Sequence, residues 1–249
     1  MRLDTAAPLA HIVRGWLLDA LELVLPVQCA GCGVDGRELC ASCRAGLAPD
    51  PVRTTAPGGL TVHAGAPYRG LVRRVLLACK REGRTPLAGP LAALLAAAIA
   101  DAAPPPGVEL CVVPSTRAAY RHRGFEFARL VLARTGLGAV RVLAAARPHR
   151  QQKTLDREQR RANLHGVHRA RGRLDGRRFL IVDDVVTTGA TLAEAARAIR
   201  EAGGEPVGAV AIAATPRRGP STPTAGSIRQ RDFRLVTKSG ARDTVARKA

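Results

Sequence analysis

Apolar positions along the chain fall into two kinds of run. Short, continuous runs rich in β-branched residues read as buried strands, and longer stretches with apolar positions every three or four residues read as amphipathic helices. From about Leu60 the two kinds alternate, predicting a strand near 61–66, a helix near 69–80 and a helix from Pro86 to about Ala100. A proline-rich turn then leads to a strand over 108–113, a helix from about Tyr120 to Arg134 and a short strand over 139–143. A polar, basic stretch occupies 147–173, followed by the strand "RFLIVDD", the helix "TLAEAARAIREAGG" that stops at Gly203–Gly204, and the strand "VGAVAIA". Apolar strands without alternation, separated by helices, predict an α/β fold with a parallel sheet covered on both faces. Such sheets bind ligands at the carboxyl ends of their strands.

The flanks differ from this pattern. "PLAHIVRGWLLDALELVLP" mixes charges into helical periodicity and reads as a packed N-terminal helix, not a signal segment. The segment "RAGLAPDPVRTTAPGG" is rich in Pro, Gly and Thr and reads as a linker or irregular connection. The tail from about Pro216 has little apolar periodicity and reads as basic and largely disordered. Three parts are therefore expected: 1–48, holding a helix and a small cysteine-rich domain; 60–215, the parallel-sheet domain; and 216–249, the tail. "LAALLAAAIA" at 91–100 is shorter than the ~20 residues a membrane span needs. The chain is expected to be soluble and cytoplasmic, with no membrane span.

Four of the six cysteines lie in "CAGCGVDGRELCASC". Cys29, Cys32, Cys40 and Cys43 form two C-x2-C pairs, each able to turn two thiolates toward one ion, with Gly31 and Gly33 easing the turns. Zinc in a closed, structural S4 site is the default reading. A disulfide framework and an iron–sulfur cluster are the competing ones. Cys79 and Cys111 lie in apolar contexts and read as buried structural thiols.

Charge is unevenly placed. The net charge is +19, with 17 Lys/Arg against 4 Asp/Glu over residues 117–178 and 9 against 2 over 217–249. A concentrated basic surface suits polyanions: nucleic acid, anionic lipid, or small phosphorylated ligands. Only four of the basic residues are lysine, so part of the arginine excess reads equally as compositional drift.

The stretch "FLIVDDVVTTGAT" carries the most specific chemistry. Asp183 and Asp184 follow a continuous apolar strand, and Thr187, Thr188, Gly189, Ala190 and Thr191 then form a small-residue turn into a helix. Exposed backbone N–H groups, threonine hydroxyls and the helix N-terminus suit a phosphate monoester. The acids would repel that phosphate, and instead suit sugar hydroxyls or a magnesium ion carried by the ligand. The competing reading is a capped helix start, with Thr187 or Thr188 as the cap.

This stretch resembles the phosphoribosyl-pyrophosphate signature of type I phosphoribosyltransferases. The resemblance implies that Asp183 and Asp184 hold the ribose hydroxyls and that Thr187 to Thr191 hold the 5-phosphate. Together with the four-cysteine knuckle, "VVPSTRAAYRHRGF" and "QKTLDREQRRAN", it resembles the ComF family, competence-associated proteins with a zinc finger and a phosphoribosyltransferase domain. By that pattern Arg117, Arg123, Gly124, Phe125, Gln152, Leu155, Arg160 and Asn163 fall on motif positions. Glu126 and Phe127 depart from it, standing where the family usually has Asn-Gln.

The resemblance implies displacement at the anomeric carbon of phosphoribosyl pyrophosphate, with magnesium and basic side chains neutralising the departing pyrophosphate. Asp183, Asp184, Arg117 and Arg123 are the catalytic candidates it supplies, with Arg121 beside Arg123 on a covering segment and Lys80 and Arg81 as weaker ones. It implies equally a competence protein that binds single-stranded DNA, works with other competence-machinery proteins and uses the fold as a ligand sensor. Single-strand binding usually adds aromatic stacking, and Tyr120, Phe125 and Phe127 are the aromatics near the arginine-rich run.

Overall fold

The computed structural model describes residues 27–146 and 166–216. The expected N-terminal helix, the motif positions Gln152, Leu155, Arg160 and Asn163, and the tail beyond Pro216 lie outside the described residues. A five-stranded sheet carries the molecule, formed by β1 (Val52–Thr55), β2 (Thr61–Ala64), β3 (Val108–Val112), β6 (Arg178–Val186) and β7 (Glu205–Ala214), in the order β1-β2-β7-β6-β3. All its pairings are parallel except the β1–β2 hairpin. A separate antiparallel pair joins β4 (Leu143–Ala145) to β5 (His168–Ala170). The helices among the described residues are α1 (Ala41–Gly46), α2 (Gly70–Arg81), α3 (Ala88–Ala102, preceded by a 3-10 turn Thr85–Leu87), α4 (Arg117–Arg123), α5 (Phe127–Ala133) and α6 (Ala190–Glu201).

The predicted parallel sheet with both faces covered is therefore what forms. Side chains alternate across a strand, and β6 divides them between two cores. Leu180 and Val182 pack with Val210 and Ile212 of β7 against α2, α3 and α5. Phe179 and Ile181 pack with Ala209 and Ala211 against Leu192, Ala195, Ala196 and Ile199 of α6. Two buried faces explain why the strands read as unbroken apolar runs. Thr85–Ala102 is long and apolar enough to cross a membrane, longer than the stretch at 91–100 suggested. It lies in the core, with Leu87, Leu91, Leu94, Leu95 and Ala98 buried. It passes tightly over Gly65, just beyond β2, where a Cβ would overlap the Leu94 carbonyl.

Three expectations are corrected. The expected linker contains β1, which pairs with β2 from Val52↔Ala64 to Thr55↔Thr61. As an edge strand with half its residues exposed it buries little, so its sequence lacks an apolar signal. It is anchored instead by charge: Arg53 donates to both carboxylate oxygens of Asp101 on α3 at 3.0 and 2.7 Å, and His63 Nδ1 lies 2.6 Å from the same carboxylate. The expected helix 120–134 is two helices, because Gly124 adopts a left-handed conformation (φ 76°) that ends α4. The short strand expected over 139–143 is displaced to Leu143–Ala145, and Val140 makes only an isolated bridge to Cys111.

Gly65→Ala should destabilise the protein by about 2 kcal/mol or more through overpacking against α3. A fall in the urea midpoint with an unchanged slope would register it.

Candidate functional site

β6 runs on past its neighbour. β3 pairs with it only as far as Val112↔Val182, whereas β7 accompanies it to Val186↔Ala214. The two acids therefore lie near the carboxyl end of β6, as the sequence suggested, and the strand continues past them to Val186 with β7 alone alongside. The chain leaves β3 toward α5 on one face and leaves β6 toward α6 on the other. That divergence is the arrangement at which open α/β sheets place ligands.

Strand alternation sends the two acids to opposite faces. Asp184 continues the Leu180–Val182 side and meets Lys80, on the last turn of α2, in an ion pair. The Lys80 ammonium also lies 5.8 Å from the centre of the Phe127 ring. Lys80, the weaker candidate by sequence, is thus in direct contact with the site, while Arg81 is exposed. The available signal was compositional: it is the only lysine among the described residues of an arginine-rich chain. Asp183 accepts the Asp184 N–H at 2.8 Å, and Asp184 accepts the Val185 N–H at 2.7 Å. Burial, and then the adjacent charge of Asp184, push the Asp183 carboxyl up to about 7. A cationic or hydroxyl-bearing ligand would relieve that cost.

The turn after β6 is built around Gly189. Its φ of 75° is in the left-handed region, and a Cβ there would come within 2.8 Å of the Ala56 side chain and 3.3 Å of Pro57. The tip of the β1–β2 hairpin thus seats against the loop and leaves room for glycine only. Gly189 is also the N-cap of α6 and supplies no side-chain cap; Thr188 Oγ1 accepts only the Ala190 N–H, at 3.3 Å. The first turn of a helix lacks intrahelical acceptors for its N–H groups, so α6 opens onto Thr187 and Thr188, both exposed, with donors for an anion. Capping by Thr187 or Thr188 alone does not account for this.

The loop after β3 carries the arginines. Arg117 opens α4. Arg123 donates from Nη2 to Ser115 Oγ at 3.2 Å, and its buried Nε has no partner among the described residues. Arg121 is exposed. The two departures from the family pattern have local roles: Glu126 pairs with Arg129 at 3.0 Å, and Phe127 is buried beneath Lys80.

The sulfur atoms of Cys29, Cys32, Cys40 and Cys43 all lie within 4.8 Å of one another, with Cys32 and Cys40 3.7 Å apart. A tetrahedral ion with bonds of about 2.3 Å to sulfur has edges of about 3.8 Å, so the set fits zinc. Its electrostatics also call for a cation. Burial, reinforced by the neighbouring thiols, pushes Cys43 up to about 12. In Cys29 burial is outweighed by N–H groups of the turn, including Cys40 and Gly31 at 3.3 and 3.4 Å, and the thiol falls to about 6. Four thiolates this close cannot coexist without a positive ion. Cys79 and Cys111 are buried, as expected, and burial raises both thiols to about 11 and 12.

Fold and site together define an α/β protein with a glycine turn that leaves N–H groups open at a helix start and paired acids near the carboxyl end of a central parallel strand. The chain matches the phosphoribosyl transferase domain over residues 72–223, more than half its length, and belongs to that family. Phosphoribosyl chemistry is therefore the general class of the domain. No curated protein matches the chain.

Asp183 is predicted to make stability pH-dependent. A carboxyl whose pKa is raised on folding contributes stability that is fully present below about pH 4 and lost as the pH rises through about 7. Asp183→Asn should therefore gain stability relative to the parent across that window, as measured by urea unfolding at pH 4, 5, 6 and 7 without ligand. Replacing Cys29 and Cys32 with serine should release one zinc per chain and lower the melting temperature by about 5 °C or more. Metal analysis and calorimetry would show both, and a stable, metal-free double variant would refute the metal assignment.

Proposed function

We propose that the carboxyl end of β6 binds phosphoribosyl pyrophosphate together with magnesium, and that the protein transfers the phosphoribosyl group to an acceptor. The observation that carries this reading is the pair of acids near the carboxyl end of β6, followed by the Gly189 turn and set beside a lysine ammonium. Asp183 and Asp184 accept hydrogen bonds from the ribose 2′ and 3′ hydroxyls. Thr187, Thr188, Gly189, Ala190 and Thr191 surround the 5-phosphate with backbone N–H groups and hydroxyls at the start of α6. Magnesium brought with the pyrophosphate would neutralise leaving-group charge, and the carboxylates of Asp183 and Asp184 would hold it. Lys80 offsets the acids in the free protein and can turn to the pyrophosphate when the ribose takes its place. Arg123, whose buried Nε has no hydrogen-bond partner among the described residues, supplies positive charge from the β3 side, and Arg117 opens the same helix. The phosphoribosyltransferase unit is proposed to begin with β1, at Val52, and to run to about residue 215. A four-cysteine zinc module ahead of it supports a ComF-like assignment.

Each acid–hydroxyl hydrogen bond to a charged group contributes about 1.5–3 kcal/mol, roughly tenfold or more in affinity. Asp183→Asn combined with Asp184→Asn should weaken magnesium-dependent binding of phosphoribosyl pyrophosphate by at least that factor in calorimetry. No binding by the parent protein would overturn the reading.

A second reading is supported by two observations: Tyr120 on α4 is 49% exposed, and Arg121, Arg169, Arg171 and Arg173 are exposed. An exposed aromatic together with solvent-facing guanidinium groups is the chemistry of single-stranded nucleic acid binding, as in a competence protein using the fold as a sensor. Affinity for a single-stranded oligonucleotide should then fall steeply between 50 and 200 mM salt. Flat or absent binding in a fluorescence titration argues against it.

A further inference from the structure

The four-cysteine knuckle is joined to the helix that carries Lys80. Leu71, in the first turn of α2, lies between the two halves of the knuckle. A Cβ at Gly31 would meet its side chain at 2.6 Å and Cys43 Sγ at 2.5 Å, and a Cβ at Gly46 would lie 3.2 Å from it. Cys29, Leu39 and Leu47 share one core with Val75, Leu76 and Cys79 of α2. The other end of α2 is held by Arg84. Its guanidinium donates to Glu38 Oε2 at 2.5 Å, to the Gln28 carbonyl at 2.5 Å and to the Glu38 carbonyl at 3.1 Å. Gln28 immediately precedes Cys29, and Glu38 lies two residues before Cys40, so one side chain grips the backbone beside both cysteine pairs. The Arg84 and Glu82 N–H groups both return to the Ala78 carbonyl, closing the turn that contains Lys80. That turn delivers the Lys80 ammonium to Asp184.

We propose that Arg84 is a positioning residue, which ties the folded, metal-loaded state of the knuckle to the placement of Lys80 at Asp184, and so to affinity at the β6 site. The link to ligand affinity rests on the functional reading above, whereas the link to Lys80 does not. A guanidinium fork holding three acceptors constrains direction as well as distance, which a hydrophobic contact alone does not. Thermodynamic reciprocity then applies: if metal in the knuckle strengthens ligand binding, bound ligand must retain the metal by the same factor.

The test uses the full chain and reads Lys80 directly, as acylation by an amine-reactive reagent followed by peptide mass spectrometry. In Arg84→Met, measured in zinc-saturated buffer, and in the parent protein after chelation, Lys80 labelling should rise at least threefold. Arg84→Lys should restore part of the protection. Arg177→Met, which breaks the Arg177–Glu109 pair away from α2, should leave labelling unchanged. Should Arg84→Met fail to fold, Glu38→Gln removes one acceptor charge and should move labelling the same way. Labelling equal to the parent in the Arg84 and Glu38 variants, or raised as much by Arg177→Met, overturns the proposal. In calorimetry, Arg84→Met should weaken phosphoribosyl pyrophosphate with magnesium at least fivefold, and phosphoribosyl pyrophosphate should slow zinc release to a chelator. A parent protein that binds no phosphoribosyl pyrophosphate yet shows the labelling response removes the functional reading and leaves the Arg84 linkage standing.

Discussion

Two adjacent carboxylates at the end of a buried strand repel each other and lose solvent, and the fold has to answer both costs. Lys80 answers for Asp184 through a direct ion pair. Asp183 has no such partner among the described residues, and its carboxyl is left to hold a proton up to about pH 7. A site poised this way gains from any ligand that brings hydroxyl donors or a cation to the acids. Residual cost in the free state is a common property of functional sites. The geometry that imposes it also exposes the acids, since β6 outruns β3 and leaves that flank open.

Placing one ammonium beside Asp184 requires α2 to be held along its length. Leu76 and Cys79 bury one side of it in the core, Leu71 fills the knuckle, and Arg84 grips the knuckle from beyond the helix end. The small module ahead of the sheet is thus part of the support for a residue that lies 104 positions from its carboxylate partner in the chain. The other side of the site depends on a similar arrangement. The β1–β2 hairpin, held to α3 by Arg53, His63 and Asp101, rests its tip on Gly189 and shapes the turn that opens α6.

Much of this was legible along the chain. The central strands are buried on both faces, so their composition alone marks them; helices α2 and α6 carry the periodicity of partly exposed surfaces, and α3 is marked by its length and nearly unbroken apolar composition. What was misread follows from where the signal is weak. β1 is an edge strand stabilised by ion pairs, so its Pro-, Gly- and Thr-rich surroundings look like a linker. The break between α4 and α5 turns on one glycine at positive φ inside a helical pattern. Glu126 and Phe127, departures from the expected amides, proved to be an ion-pair partner and a core side chain lying under Lys80.

The sequence by itself determined the local chemistry: adjacent acids on a β-strand, a glycine turn that can aim N–H groups at an anion, and two cysteine pairs spaced for one ion. These depend on neighbours within a few residues, so local pattern suffices to specify them. Only the tertiary structure decided which cation faces the acids and what seats the turn. Those are contacts between distant segments, set by how helices and strands pack on the sheet, and no local spacing encodes that Lys80 meets Asp184 or that Ala56 meets Gly189.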